Sequence, residues 1–303
     1  MAPAPDDLHV DDLRVLLAVA RAGRLVSAAS ALGLDHTTVR RRLDRLERDL
    51  GARLLDRGVD GWELTEIGRQ VAAEASAIEG VVEQVLRVSS GREDSIRGSV
   101  RVVSPEGFGV AFATPALARV CTRHPEVSVE LVTSTRPLSV RAAGYDLAVT
   151  VGAAESSRLL SEPLAPYALR LYASPSYLAR HPEIRTVEDL RAHTLVFYVD
   201  ALLSVRDLDL APLLGGMRVS FGSTNVAAQL EATKRGAGIG LLHAFAGHGD
   251  PDLVPVLPDQ VDFRLQFSLS MRPESRGSAA VEAVRAALIE EVRERSGEFI
   301  PQR

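Results

Sequence analysis

Val39, Leu43, Leu46 and Leu50 recur at steps of four, three and four, which makes one apolar stripe along a helix. That stripe has to face a core. It leaves His36, Thr37, Thr38, Arg40, Arg41, Arg42 and Arg45 pointing largely elsewhere. Asp35 stands just ahead, where a carboxylate accepts the orphan N–H groups of a first helical turn. Upstream, Ala28 and Ala29 keep a preceding helix slim, and Gly33 sits at the break, where a positive φ costs little. A slim helix, a tight turn and an arginine-bearing second helix are the parts of a helix-turn-helix, whose second helix reads base edges from its first turns. His36, Thr37, Thr38, Arg40 and Arg41 are accordingly the residues expected to read bases or to contact the nearby backbone. Arg42, Arg45 and Arg53 suit phosphate or surface roles. After Gly51, two extended runs flank Gly58-Val59-Asp60-Gly61 and predict a small β-wing. Arg57 stands at its base within reach of a phosphate, and Trp62 reads as a packing residue. Thr65 is placed to cap the next helix.

From Glu66 to about Val88 there is no proline, and Ile67, Val71, Ala75, Ile78, Val82 and Val85 recur at near-heptad spacing. About 22 residues of helix would span roughly 33 Å. Its apolar edge must be buried, and a twin helix from a second subunit is the economical partner, because a twofold dimer suits a palindromic site. Ser89–Ser95 reads as a hinge. Beyond Gly98 strand and helix patterns alternate. Val100–Val103, Val127–Val132 and Asp146–Val151 are expected as strands, with helices at Gly109–Arg123 and Leu138–Ala143. A second set follows, with strands at Leu169–Ala173, Leu195–Tyr198, Arg218–Phe221 and Ile239–Leu242. Phe263–Met271 and a closing helix, Ala279–Glu294, complete the chain. A break near Pro163–Pro166 and the late return strand predict two lobes with two crossings.

Ligands of open α/β sheets collect at the carboxyl ends of strands and at the N-termini of the following helices. Ser104, Thr135, Thr224 and Asn225 occupy such places, and Val199 and His243 come next. Each short polar side chain could equally be a plain helix cap; their convergence on one cleft is the stronger argument. His243 could donate to a ligand or hydrogen-bond the backbone. With His248 it has no third ligand at metal spacing, so no metal and no cofactor is expected.

The chain has 303 residues, 46% hydrophobic and 25% charged, enough for two or three domains. No apolar run approaches the ~18 residues of a membrane span, and Met1–Pro5 followed by acids does not read as a signal peptide, so a cytoplasmic, non-membrane protein is expected. Cys121 is the single cysteine, which excludes an intramolecular disulfide and Cys-based zinc sites. The net charge of −5 places the DNA signal locally: residues 36–57 hold seven arginines against four acids. Binding through so few side chains should fall steeply with salt.

Five short motifs stand in register: Ala28-Ala29-x-x-Leu32, Val39-x-x-x-Leu43, Leu46-Glu47-x-x-Leu50-Gly51, Arg53-Leu54-Leu55-x-Arg57 and Leu64-Thr65-x-x-Gly68. Residues 8–68 resemble the winged helix-turn-helix domain of LysR-type transcriptional regulators. Two departures stand out: Arg24-Leu25-Val26 replaces the family's usual Ser-Phe-Thr, and Asp35-His36 replaces a polar pair at the start of the recognition helix. The resemblance implies a multidomain fold over essentially the whole chain. A winged helix-turn-helix (1–66, α with a small β-wing) precedes a long linker helix (67–90), a hinge (91–97) and a two-lobed α/β effector domain (98–303). That domain is similar to a periplasmic solute-binding protein, with lobe I at about 98–164 and 267–303 and lobe II at about 165–266. Gly236-Ala237-Gly238-Ile239-Gly240 fits the family's pattern, but His243 stands where proline is common. The implied function is a ligand-responsive, non-enzymatic regulator that binds operator DNA and a small effector as a homodimer, and further as a homotetramer. Glu106 sets a negative charge near the cleft mouth, against the usual guess of an acidic effector. The alternatives are an architectural DNA-binding regulator whose C-terminal part only oligomerises, and an α/β enzyme with an accessory DNA-binding domain. Against the enzyme, the chain has no Gly-x-Ser-x-Gly elbow, no phosphate loop and no paired His or Cys cluster.

Overall fold

The computed structural model describes residues 8–22, 25–58, 61–89, 96–133, 145–152, 159–199 and 216–302. Three helices open the chain: α1 (Val10–Ala22), α2 (Leu25–Leu32) and α3 (His36–Leu50). α1 was not among the patterns singled out above, yet it supplies Leu13, Leu16 and Leu17 to the core on which α2 and α3 pack. Val39, Leu43 and Leu46 are fully buried there, as their spacing predicts, while Leu50 is half-buried. Each buried leucine contributes about 1.5–3 kcal/mol of hydrophobic stabilisation. Gly33 adopts φ +64 at the break between α2 and α3.

The wing is an antiparallel pair, β1 (Leu55–Gly58) and β2 (Gly61–Leu64). Glu47 of α3 fixes its start by accepting the N–H groups of Leu54 and Leu55 at 2.8 and 3.0 Å. α4 (Glu66–Ser89) then runs for 24 residues, about 36 Å. Thr65 caps it, its hydroxyl accepting the Gly68 N–H and donating to the Arg53 carbonyl. At Gly68 the helix comes so close to the wing that a Cβ would lie 2.1 Å from the Leu54 carbonyl oxygen. Along α4, Ala72 and Ala75 are buried against the N-terminal domain, whereas Ile78, Val81 and Val85 stay exposed.

The remaining chain builds one nine-stranded mixed sheet among the described residues. β3 (Arg97–Ser104) lies between β4 (Glu126–Thr133) and β5 (Leu147–Val151), all parallel. β7 (Thr194–Phe197) lies parallel between β8 (Arg218–Gly222) and β9 (Ile239–His243). These two parallel groups are joined by antiparallel strands, β6 (Leu160–Ala173) and β11 (Phe263–Met271), which pair with each other, with β5 and with β9. A short β10 (Val254–Val256) adds to β6. The expected break at Pro163–Pro166 is instead continuous strand: β6 is 14 residues long and carries both prolines. The physical reason is a bulge. Ala165 faces Phe267 but Pro163 faces Ser268, so the register slips over Leu164 and the ladder tolerates residues without an N–H.

Helices cover the sheet. α5 (Glu106–Phe108) starts three residues before the expected Gly109 and passes through a π-turn at Gly109–Ala113 into α6 (Thr114–Arg123). α7 (Pro175–Leu178), α8 (Val226–Lys234), α9 (Ala244–Gly247), α10 (Ala279–Glu294) and α11 (Ser296–Phe299) follow. One buried aromatic cluster, Phe108, Phe112, Tyr167, Phe267 and Phe299, lies under the strands that join the two groups. The expected helix Leu138–Ala143, Thr135 and residues 91–95 of the hinge lie outside the described residues.

Candidate nucleic-acid interface and inter-lobe cleft

At the start of α3, the Asp35 carboxylate accepts the Thr38 N–H at 2.9 Å and the Thr38 hydroxyl at 2.6 Å, and the Thr37 hydroxyl bonds it as well. The Thr37 hydroxyl, then that of Thr38, hold this carboxyl far below the usual carboxylate range. Both threonine protons are therefore engaged at home, which leaves their methyl groups and lone pairs for an outside partner. His36 and Arg41 are exposed beside them. Arg41 and Arg42 form no ion pair among the described residues.

Arg40 is placed differently. It pairs with Asp44 at 2.7 Å and lies over the Trp62 ring at 4.0 Å. Arg57 approaches the same ring at 5.7 Å. Trp62 thus sits between recognition helix and wing with its indole half-buried, and couples the two rather than offering a bare stacking face. Arg45 lies apart from this group. Its Nε and Nη2 both bond the carboxylate of Asp12, which is fully buried in α1. A fork so held braces α3 on α1, while the Arg45 side chain stays 42% exposed at the surface.

Of the residues expected at the cleft, Ser104 is buried at the end of β3 and donates to the Pro105 carbonyl at 3.1 Å. Val199 is exposed after β7, and Thr224 is half-buried before α8. Asn225 caps α8, its Oδ1 accepting the Ala228 N–H at 2.7 Å. Across the gap, Glu106 Oε1 accepts from Asn225 Nδ2 at 2.6 Å and Oε2 from the Val226 N–H at 2.7 Å. His243 lies nearby at the end of β9, stacked on Tyr167 at 5.5 Å and 4.9 Å from Phe245. Gly107 abuts this ring, for a Cβ there would meet His243 Cε1 at 3.2 Å. Burial pushes the imidazole down to about 4, so the ring is neutral near pH 7. Tyr198 is pushed up to about 12 by burial and by the charge of Glu106. Glu106, Tyr198, Asn225 and His243 therefore gather at one place. Tyr167 was missed because a tyrosine inside an apolar strand has no signal of its own.

The effector domain also touches the first helix directly. Arg272, which follows β11, donates from Nη1 to the Ala20 carbonyl at 2.9 Å and lies over the Tyr145 ring at 4.9 Å. It is almost fully buried at that junction.

Two family models match. Residues 10–69 fit the bacterial regulatory helix-turn-helix protein, lysR family, and residues 93–293 fit the LysR substrate binding domain. The chain belongs to the LysR family of transcriptional regulators. An HTH-type transcriptional regulator of Xanthomonas campestris pv. campestris is 30% identical over 184 residues, 61% of this chain and 54% of that protein. The probable HTH-type regulator LtrA of Klebsiella pneumoniae is 26% identical over 82% of both chains. Among solved LysR-type structures, full-length LysG of Corynebacterium glutamicum with its effector Arg bound is similar in fold. Its TM-score is 0.63 and its identity 19%, over 95% of this chain and 99% of that one. AphB of Vibrio cholerae, at TM-score 0.54 and 21% identity, covers 93% of this chain and 99% of its own. None of the described helices is long and apolar enough to cross a membrane.

Proposed function

We propose that this LysR-type regulator binds operator DNA as a homodimer, and as a homotetramer at its target, and that a small molecule in the inter-lobe cleft modulates that binding in the cytoplasm without catalysis. The observation that carries the reading is the exposed face of α3. The buried Val39, Leu43 and Leu46 hold His36 and Arg41 outward beside a capped first turn, the arrangement a major-groove reader requires. His36, Thr37, Thr38, Arg40 and Arg41 would meet bases or the nearest backbone; Arg42 and Arg57 would meet phosphates. Arg45 serves indirectly, by fixing the angle of α3 on α1.

The domain division proposed with it is DNA-binding at 1–66, linker helix at 67–90, hinge at 91–97 and effector domain at 98–303. The bulge in β6 at Leu164 supports a lobe boundary near residues 164 and 267. Ile78, Val81 and Val85 form the exposed edge of α4, and a second copy of that helix would bury it. Ser104, Thr135, Val199, Thr224, Asn225 and His243 are the proposed effector contacts. The ligand can act only if it binds one arrangement of the lobes more tightly than another. Footprinting of purified protein on its own genomic neighbourhood, repeated while small amines and acids are screened, tests the reading. Absence of any protected site would overturn it.

A further inference from the structure

The N-terminus of a helix is a ready anion site, because its first N–H groups lack partners within the helix. In this domain the site at α8 is already filled, and from the opposite side of the cleft. Glu106, in the first turn after β3, takes the Asn225 side-chain amide on one oxygen and the Val226 N–H on the other, at 2.6 and 2.7 Å. These partners lie about 120 residues away in sequence, so the bond ties the two strand groups together rather than closing a local turn. No ion pair neutralises Glu106 among the described residues, and its charge reaches the half-buried Tyr198. His243, on the other side of Gly107, is neutral and brings no compensating charge.

We propose that Glu106 is a specificity-determining residue: its carboxylate occupies the anion site of α8, so the cleft rejects carboxylate ligands and takes molecules that present an amine or other donor to Glu106. This deepens the effector reading above and rests on it. A carboxylate ligand would have to expel a like charge and surrender two charge-assisted hydrogen bonds. An ammonium group, by contrast, finds lone pairs of Glu106 still open. The strand connections make the same contact a latch, because whatever draws Glu106 away also releases α8.

The test is chemical rescue in the full chain. Thermal midpoints of wild type, E106A and E106Q are measured in matched series of sodium acetate and sodium chloride. Removal of the internal carboxylate should let acetate take its place. At acetate about tenfold above its Kd, the E106A midpoint should rise by about 3–5 °C over chloride, while wild type shows no acetate-specific rise. E106Q, whose amide still fills the space, should gain less than E106A. Equal acetate stabilisation of wild type and E106A would show that Glu106 does not hold the site. No gain in either would show that α8 offers no anion site. Each result overturns the proposal. Should E106A not fold, E106S, which also removes the carboxylate and leaves only a short side chain, is carried through the same series, and the same acetate gain is expected of it. The readout uses no DNA, so a chain that binds its operator but fails this test loses only the inference about Glu106.

Discussion

Four arginines within six residues of α3 should behave in distinguishable ways, and Arg41 is the sharpest case. Arg41 is exposed and has no ion-pair partner among the described residues, so R41A removes nothing that holds the fold together. Its effect on stability should stay within about 0.5 kcal/mol. If its fork grips a guanine edge, losing it should cost about 1–3 kcal/mol of operator binding, roughly 5- to 150-fold in Kd. The same change should flatten preference at a single base position. R45A should do the opposite. It strands the buried Asp12 carboxylate, so the thermal midpoint falls, while the sequence preference of whatever protein remains folded is kept. R42A, at a phosphate, should weaken all DNA alike and lower the salt slope by about one unit. Fluorescence anisotropy on operator and single-base variants, at several salt concentrations, separates the three. Equal losses on operator and random DNA for R41A would refute the assignment of Arg41 to a base, and unchanged binding to both would remove it from the interface.

Gly68→Ala should destabilise the N-terminal domain by about 1–3 kcal/mol, because its methyl would meet the Leu54 carbonyl; denaturant unfolding measures it, and an unchanged midpoint would mean that α4 and the wing part easily. His243 gives a pH prediction. Its folded pKa is depressed from the ordinary 6.5 to about 4, so its stabilising contribution is present above 6.5 and is lost as pH falls towards 4. At about 1.4 kcal/mol per unit, that loss amounts to about 3 kcal/mol. Unfolding free energies across this range should lose that slope in His243→Phe, and a slope that persists would acquit the imidazole. Arg272→Ala should raise hydrogen exchange at residues 19–22 of α1 and leave β3 and β11 protected; unaltered exchange at α1 would show that the contact restrains nothing.

The helix-turn-helix was legible because its signals are local. A 4-3-4 leucine spacing, an Asp cap and a turn glycine each act within one helical turn, and the coordinates bear out all three. The division of labour among the arginines was not legible. Arg45 and Arg42 look alike in sequence, and only the approach of α1 brings Asp12 to the former. The same limit applied to β6. Two prolines read as a break, because the bulge that accommodates them depends on β11, about a hundred residues later. In the cleft, the strand ends and the cap at Asn225 were visible, but the partner of that cap came from the other side of the sheet. Contacts between residues distant in sequence are what pattern reading does not reach.

Those distant contacts also say how a cleft event could reach α3. The shared strand β11 faces the bulge of β6 at its Phe267–Ser268 step and ends against Arg272, which bonds the last turn of α1. α1 in turn holds Arg45 of α3 through Asp12. From the junction to the recognition helix the path is thus one helix and two charge-assisted contacts. A carbonyl at a helix C-terminus suits a guanidinium electrostatically, so the bonded form at Ala20 is favoured unless β11 moves. Coupling then needs no long wire. It requires that the two lobe arrangements place Arg272 differently, and only a ligand that binds them unequally can choose between them. If the Glu106 latch sets which arrangement rests, E106A should alter exchange at residues 19–22 as R272A does.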